Sequence, residues 1–185
     1  IAEATVDLLV PHETVIIDSG STALEVARAI KGRDLSLTVI TPSIQVAVEL
    51  ADEPDTNVIM TGGLVRPGEL SLIGFEAQQS FSRYNCDTFI MGVAGFDAVR
   101  GVTDYHRDES EVKHAALDVS DRIIVVADNS KLGRVQLVNI AETTEINVLV
   151  TDADDNDSTV TALRAIGVQV MCAPVSPALA TERAS

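Results

Sequence analysis

The chain has 185 residues, of which 46% are apolar, and its 28 acidic and 13 basic residues give a formal charge of −15 at pH 7. An apolar content this high excludes intrinsic disorder for most of the chain, and the length suits one sizeable α/β domain. A surface this negative repels phosphate backbones, which argues against DNA or RNA binding by this stretch of sequence itself. Any phosphate that it binds must be held locally, by backbone N–H groups and a few placed cations.

The chain lacks the sequence signals of several other classes of protein. No apolar run reaches the length of a membrane span and no signal peptide opens the sequence, so we expect a cytoplasmic protein without a membrane partner. The three histidines and two cysteines do not cluster at metal-ligand spacing, and neither a G-x-G-x-x-G nor a P-loop motif occurs. We therefore expect no metal and no cofactor.

Helices and strands alternate in the predicted order of elements. Apolar residues at helical spacing predict helices over residues 1–9, 22–30, 44–50, 75–84, 109–119 and 159–166. Short continuous apolar runs predict strands over residues 15–18, 37–40, 57–61, 88–93, 122–127, 147–150 and 168–171. Continuous runs are typical of strands buried on both faces. The pattern predicts an α/β fold, with an open, mostly parallel sheet and helices on both faces.

The two ends of the chain depart from this pattern. A helical pattern that starts at Ile1, with no Met before it, leads us to expect a fragment of a longer protein. The residues after Ala173 are small and polar, and we expect a flexible tail over 174–185. Residues 1–173 are predicted to form one domain, in which the acidic stretch 152–157 is a solvated loop that caps the next helix.

Small, polar and glycine-rich segments follow most of the predicted strands. In open parallel sheets, ligands bind at the carboxyl ends of the strands, so such segments meet on one rim. Their convergence predicts a binding site there. The segments are Asp18-Ser19-Gly20-Ser21-Thr22, Thr41-Pro42-Ser43, Thr61-Gly62-Gly63, the segment with Gly92, Gly95 and Asp97, and Asp128-Asn129-Ser130-Lys131.

The segment after the first strand has the features of an anion cradle. Gly20 lets the backbone turn sharply beside a ligand, and the following helix points its free N–H groups at that place. Ser21 and Thr22 add hydroxyl donors. An ordinary helix cap explains the same residues, because Thr22 and Glu25 fit the T-x-x-E capping box. The two readings are compatible.

Three further pairs of residues each have a structural and a functional reading. Gly62-Gly63 forms either a turn or a backbone surface for a sugar. Glu109 and Lys113 form either an exposed helical pair or a site in which Lys113 turns inward to a ligand and Glu109 holds it. Lys131 is either the counter-charge of a bound anion or the loop partner of Asp128.

In their order along the chain, eight segments resemble the C-terminal sensor domain of the DeoR family of bacterial transcription regulators. Each segment alone is a weak signal, but their order is specific, and the resemblance runs from about Ile1 to Ala173. The segments are Asp18-Ser19-Gly20-Ser21-Thr22, Thr41-Pro42-Ser43, Thr61-Gly62-Gly63, Gly74, Gly92-Val93-Ala94-Gly95-Phe96-Asp97, Gly101-Val102-Thr103, Glu109-Ser110-Glu111-Val112-Lys113 and Asp128-Asn129-Ser130-Lys131-Leu132-Gly133.

This resemblance implies a fold similar to ribose-5-phosphate isomerase and coenzyme A transferases. It implies a phosphorylated sugar or polyol as effector, and a repressor of sugar metabolism that acts as a dimer or tetramer. A winged helix-turn-helix would precede Ile1, and the protein would contact DNA only through that domain. It also implies that Gly20, Ser21 and Thr22 cradle the phosphate and that Asp128 and Lys131 respond to the effector.

The residues depart from the family pattern at two positions. Pro42 stands where the family usually has Asn, which removes an amide that could contact a sugar, and Asn129 stands where Ser is common. We still expect the whole rim to bind the effector. The predicted ligand-binding residues are Asp18, Gly20, Ser21, Thr22, Thr41, Ser43, Gly62, Gly63, Gly95, Asp97, Glu109, Lys113, Asp128 and Lys131.

An aldose-ketose phosphate isomerase on the same fold is the alternative function. Isomerisation needs a base near the reacting carbons and donors for the oxyanion, and Asp97 or Glu109 could serve as that base. The chain lacks the Asp-Gly-Ala-Asp-Glu segment and the Lys-Gly-rich loop of the isomerases. We therefore expect a binding domain and no enzyme.

Overall fold

The computed structural model describes residues 1–173. The tail predicted over 174–185 lies outside the described residues. The helices are α1 (Ala2–Val6), α2 (Ser21–Ile30), α3 (Ile44–Leu50), α4 (Phe75–Phe81), α5 (Arg107–Leu117) and α6 (Ser158–Ile166). The strands are β1 (Thr14–Ile17), β2 (Thr38–Thr41), β3 (Asn57–Met60), β4 (Leu64–Val65), β5 (Leu72–Ile73), β6 (Cys86–Gly92), β7 (Gly95–Asp97), β8 (Gly101–Asp104), β9 (Ser120–Ala127), β10 (Val138–Ala141), β11 (Val148–Thr151) and β12 (Gln169–Cys172).

The central sheet has seven strands in the order β12-β11-β9-β6-β1-β2-β3. Every pair of neighbours in it is parallel. From β1 the chain winds outward through β2 to β3, and from β6 it winds the other way. The winding direction therefore reverses between β1 and β6, which is the topological switch point where ligands bind in sheets of this kind.

Helices cover both faces of this sheet, as the continuous apolar runs predicted. Successive strand residues enter opposite layers of core, because side chains alternate across a strand. Ile16 packs in the layer under α4, α5 and α6, whereas Val15 and Ile17 pack in the layer under α1, α2 and α3. All three side chains are fully buried. The predicted α/β architecture is confirmed.

Two small antiparallel sheets were not predicted from the sequence. One is the hairpin of β4 and β5, which we call the 64–73 hairpin, and the other joins β10, β8 and β7 in that order. Their strands are two to four residues long, and none of them contains an apolar run of more than two residues, whereas the strands of the central sheet were predicted from longer runs. The hairpin apolar residues Leu64 and Val65 are also exposed rather than part of the core.

The acidic stretch before α6 behaves as predicted. The Asp157 carboxylate accepts hydrogen bonds from the backbone N–H groups of Thr159, at 2.7 Å, and Val160, at 3.1 Å. A carboxylate at this position also complements the positive end of the helix dipole.

No helix within residues 1–173 is both long enough and apolar enough to cross a membrane.

Candidate functional site

A cavity of about 270 Å³ opens at the switch point, where β1 and β6 end. This volume lies just below the range of roughly 300–1,000 Å³ that is common for ligand pockets, which suits a small ligand. Hydroxyls, carboxylates and two lysines dominate its wall. The lining residues are Ser19, Gly20, Ser21, Thr22, Ala23, Glu69, Gly92, Val93, Ala94, Asp104, Tyr105, Glu109, Lys113, Asp128 and Lys131.

The start of α2 forms one wall of the cavity. Gly20 caps the helix with φ = 100°, a backbone conformation that is essentially restricted to glycine at its ψ of 165°. The predicted capping box is wrong, because no side chain in the described part of the chain caps this helix and Glu25 instead pairs with Arg28 at 2.6 Å. The N–H groups of the first turn therefore keep their capacity to bind an anion at the positive end of the dipole.

Lys113 of α5 lies beneath the cavity and is only 5% exposed. Its ammonium donates to the Asp18 carboxylate and to the Gly92 carbonyl oxygen, and it lies 3.4 Å from the Asp104 carboxylate. Lys113 and Glu109 therefore do not form an exposed helical ion pair. The expectation that Glu109 holds it is wrong, because Asp18 and Asp104 are its carboxylate partners.

Charge and burial act together on the pKa values of this cluster. Burial by itself favours the neutral amine of Lys113, but the charges of Asp18 and Asp104 outweigh it and raise the pKa of Lys113 above its ordinary value. Burial raises the pKa of Asp18, and the ammonium of Lys113 offsets only part of that rise. The cluster holds one ammonium between two carboxylates, so it carries an excess negative charge when all three groups are ionised.

Glu109 lies one helical turn before Lys113 and fastens the 64–73 hairpin to α5. Its Oε2 accepts from Arg66 Nη1 at 2.9 Å, and its Oε1 accepts from Ser71 Oγ at 2.5 Å. The hairpin tip in turn places Glu69 at the cavity. Glu109 therefore borders the cavity and also positions the hairpin that covers one side of it.

Asp128 and Lys131 follow β9 and complete the opposite wall. The Asp128 carboxylate accepts from the Ser130 N–H at 2.8 Å and so caps a single 3₁₀ turn over Asn129–Lys131. No ion pair involves the Lys131 ammonium in the described part of the chain. The loop pairing with Asp128 does not form, and Lys131 presents a cation to the cavity.

Thr41 and Ser43 do not reach the cavity. The Thr41 hydroxyl donates to the Ile17 carbonyl at 2.6 Å, and the Ser43 hydroxyl caps α3 by accepting from the Val46 N–H at 3.2 Å. The same segment also docks the 64–73 hairpin, through a bridge between Ser43 and Ser71. The segment after β2 therefore lies behind the cavity wall and contacts β1, α3 and the 64–73 hairpin.

Asp18 contacts the cavity wall through Lys113 and Gly92 but does not line it. Four other predicted residues lie away from the wall. Gly62 and Gly63 lead into the 64–73 hairpin, and a Cβ on Gly63 would stand 2.6 Å from the Ile73 carbonyl oxygen. Gly95 is buried in β7, and the Asp97 carboxylate accepts from the N–H groups of the following turn. These positions serve the backbone of the hairpin and of the β7–β8 connection.

Among the polar residues of the cavity wall, Glu69, Asp104 and Tyr105 lie outside every segment that the sequence analysis singled out. Asp104 ends β8 and Glu69 lies in the tip of the 64–73 hairpin, and both belong to the antiparallel elements that the apolar pattern did not predict. Asp104 directly follows the Gly101-Val102-Thr103 segment that supported the family resemblance. That adjacency was the one available signal.

A larger cavity of about 660 Å³ lies elsewhere on the domain. It runs between the β7–β8 turn and a 3₁₀ turn over Thr143–Glu145, and its wall includes Arg100, His114 and Glu142. None of the predicted rim residues lines it. Of these two cavities, the smaller one lies at the carboxyl ends of β1 and β6, where ligands bind in parallel sheets, and it is therefore the candidate site.

The fold and the cavity define an α/β domain that carries a polar pocket at the switch point of a parallel sheet. A family model described as the DeoR C terminal sensor domain matches residues 1–153, and the chain belongs to this family. The family resemblance that the eight ordered segments carried is confirmed.

Two relatives illustrate how far the similarity extends. The chain is 34% identical over 171 residues to a putative aga operon transcriptional repressor of Escherichia coli O157:H7, covering 92% of this chain and 63% of that protein. It is 28% identical over 153 residues to the glycerol-3-phosphate regulon repressor of Escherichia coli K12, covering 83% of this chain and 60% of that protein. The chain thus spans about three fifths of the length of these relatives.

A solved structure confirms the predicted likeness of fold. Ribose 5-phosphate isomerase A from Methanocaldococcus jannaschii aligns with a TM-score of 0.51 at 15% identity, covering 71% of this chain and 51% of the isomerase chain. At this level of identity the likeness concerns the fold alone.

Proposed function

We propose that this domain senses a phosphorylated sugar or polyol within a transcription regulator, and that it binds the ligand without transforming it. The cavity at the switch point carries the proposal. Its wall combines the start of α2, which no side chain among residues 1–173 caps, with the ammonium of Lys131, which forms no ion pair within the same residues, and both favour a phosphate. The name of the glycerol-3-phosphate regulon repressor supports a phosphorylated ligand for a related domain.

The regulatory part of the proposal rests on the relatives. Two of them are named repressors, and they are longer than this chain. We propose that a winged helix-turn-helix domain outside these residues contacts DNA and that ligand binding here changes its affinity. Residues 1–173 would then form the sensing domain. The formal charge of −15 supports DNA binding by that other domain and not by this stretch of sequence, because negative charge repels the phosphate backbone.

Two further parts of the proposal concern chemistry and assembly. The isomerase alternative has Asp97 or Glu109 as its base, but Asp97 caps a turn and Glu109 is bonded to Arg66 and Ser71. We therefore favour a receptor over an enzyme. We also propose a dimer or tetramer, which light scattering coupled to size-exclusion chromatography tests directly.

Calorimetric titration with pairs of phosphorylated and unphosphorylated sugars and polyols tests the ligand class. We expect binding only by phosphorylated members, and Lys131→Ala should weaken it by roughly tenfold or more, because a charge-assisted hydrogen bond contributes about 1.5–3 kcal/mol. Lys31→Ala is the matched control, since Lys31 pairs with Glu49 at the domain surface. Equal binding of a phosphorylated ligand and its unphosphorylated counterpart would refute the proposal.

A further inference from the structure

The two edges of the central sheet are protected to different degrees. At one edge, Arg164 of α6 donates from Nη2 to the Val170 carbonyl oxygen of β12 at 3.1 Å. At the other edge, β3 pairs with β2 alone. Free N–H and C=O groups on a strand edge can pair with another chain, and a charged side chain placed at the edge opposes such pairing. The guanidinium of Arg164 protects β12, whereas β3 has no comparable protection within residues 1–173.

The outward-facing backbone groups of β3 belong to Val58 and Met60. The N–H groups of Asn57 and Thr61 donate to carbonyl oxygens of the β2 segment, at 2.9 and 3.2 Å. Since alternate residues of a strand direct their backbone groups to the same neighbour, the N–H and C=O groups of Val58 and Met60 point away from β2. In the part of the chain that the structure describes, no strand pairs with this side of β3.

This edge is uncharged and partly apolar, although the protein is strongly acidic. Residues 56–65 contain no charged residue and no proline, in a chain whose formal charge is −15. The side chains of Met60, Leu64 and Val65 are 45, 68 and 50% exposed. Two copies of so acidic a chain repel each other over most of their surfaces. An uncharged edge with exposed apolar side chains is therefore a surface on which a second copy can approach.

The charges of the neighbouring helix α4 are self-complementary. This helix lies beside the end of β3, because a Cβ on Gly63 would stand 3.2 Å from the Ala77 Cβ. Glu76 lies in the first turn of α4 and Arg83 follows its last turn. Neither side chain forms an ion pair among residues 1–173. A two-fold axis can place Glu76 of one copy beside Arg83 of the other, so the charges favour a second copy as the occupant.

We infer that β3 is the interface between two copies of this chain, paired as antiparallel strands about a two-fold axis at Ile59. Val58 of each copy then lies opposite Met60 of the other, and the two residues exchange both of their backbone hydrogen bonds. The central sheet continues through the interface into the sheet of the second copy. Because β3 leads into the 64–73 hairpin, whose tip carries Glu69, the interface also adjoins the wall of the ligand cavity. This inference rests on the proposed oligomer and names its surface.

Sedimentation velocity of the whole chain over a range of concentrations tests the surface. We expect a dimer, and Met60→Lys should raise its dissociation constant roughly tenfold, because a lysine on each side of the axis opposes strand pairing. Gln169→Lys is the matched control, since Gln169 is exposed on β12 at the opposite edge of the sheet. Both variants gain one positive charge, and thermal unfolding shows whether each is folded.

A cysteine cross-link tests the register of the two strands and does not depend on the folding of Met60→Lys. Ile59 meets its own copy on the axis as a non-hydrogen-bonded pair, with Cα atoms about 4.5 Å apart, which a disulfide can bridge. Ile59→Cys should therefore give a covalent dimer on mild oxidation, in a Cys172→Ala background that removes a partly exposed native thiol. Val58→Cys is the control, because the two Val58 residues are diagonal neighbours roughly 7–8 Å apart, beyond disulfide reach.

The outcomes separate the inference from the oligomer on which it rests. A dimer that folded Met60→Lys leaves intact, that Gln169→Lys weakens equally, or that Ile59→Cys does not link overturns the interface and leaves the proposed oligomer in place. Cross-linking through Val58→Cys as efficient as through Ile59→Cys overturns the register. A wild-type chain that stays monomeric throughout the concentration range overturns both the interface and the oligomer. The ligand class is tested separately, by the calorimetric titration.

Discussion

Lys113 of α5 and Asp18 at the end of β1 are 95 residues apart in sequence and form an ion pair beneath the cavity. Both side chains are almost completely buried. The pair connects α5 with the loop between β1 and α2. A buried ion pair of this kind adds little to the free energy of unfolding. Removing one partner is strongly destabilising, because the other charge is left buried without a counter-charge.

Lys113→Met should therefore destabilise the domain by about 3–5 kcal/mol, because Asp18 and Asp104 are left buried without their cation. Adding Asp18→Asn to it should recover part of that loss, so a double-mutant cycle in urea should give clear coupling between the positions. Lys31→Met, which removes an exposed pair with Glu49, should cost less than about 1 kcal/mol. Similar losses from the two lysine variants would contradict the buried ion pair.

The raised pKa of Lys113 predicts a specific response to alkaline pH. Burial opposes its charge, but Asp18 and Asp104 hold the pKa of Lys113 above its ordinary value of 10.5. The contribution of Lys113 to stability is fully present below that value and is lost as the pH rises through the raised pKa of the folded state. Unfolding free energies measured across this window should fall more steeply in the wild type than in Lys113→Met. If the unfolding free energies of the wild type and Lys113→Met fell in parallel with pH, a raised pKa of Lys113 would be contradicted.

Glu109→Gln should loosen the 64–73 hairpin with little effect on the rest of the domain. The variant weakens the charge-assisted bond from Arg66 and leaves the core untouched. Hydrogen exchange should speed up at the Arg66 amide, which bonds to the Ser71 carbonyl at 2.8 Å, and remain slow in β9. Glu111→Gln on the same helix is the control. Unchanged exchange in the hairpin would show that Glu109 does not position it.

Gly20→Ala should impair ligand binding more than its cost in stability suggests. The backbone of Gly20 lies at φ = 100°, so a side chain there is strained by about 1–3 kcal/mol and displaces the start of α2. Gly32, just beyond the other end of α2, also has a positive φ of 72° and open space around it. Gly32→Ala should destabilise the domain without lowering its affinity for the ligand. Unfolding and titration experiments on both variants would test this. Equal effects on binding would argue against the cradle.

The sequence alone was sufficient for the parallel sheet, its helices and the segments on its rim. Residues 123–127 of β9 are buried on both faces, so each residue of that run had to be apolar, and the pattern was visible without any partner. The segment from Asp18 to Thr22 was recognisable for a similar reason. Its glycine and its position before a helix are local properties, which are fully present in the order of the residues.

Only the tertiary structure decided which rim residues face the cavity and how they pair. Glu109 and Lys113 have the spacing of an exposed helical pair. The packing of α5 instead buries Lys113 against Asp18 and lets Glu109 pair with Arg66 of the hairpin. Asp104 and Glu69 reach the cavity through short antiparallel strands that show no periodicity of their own. Ion pairs depend on the distance between groups in space, and residues far apart in sequence acquire that distance only when the sheet is assembled.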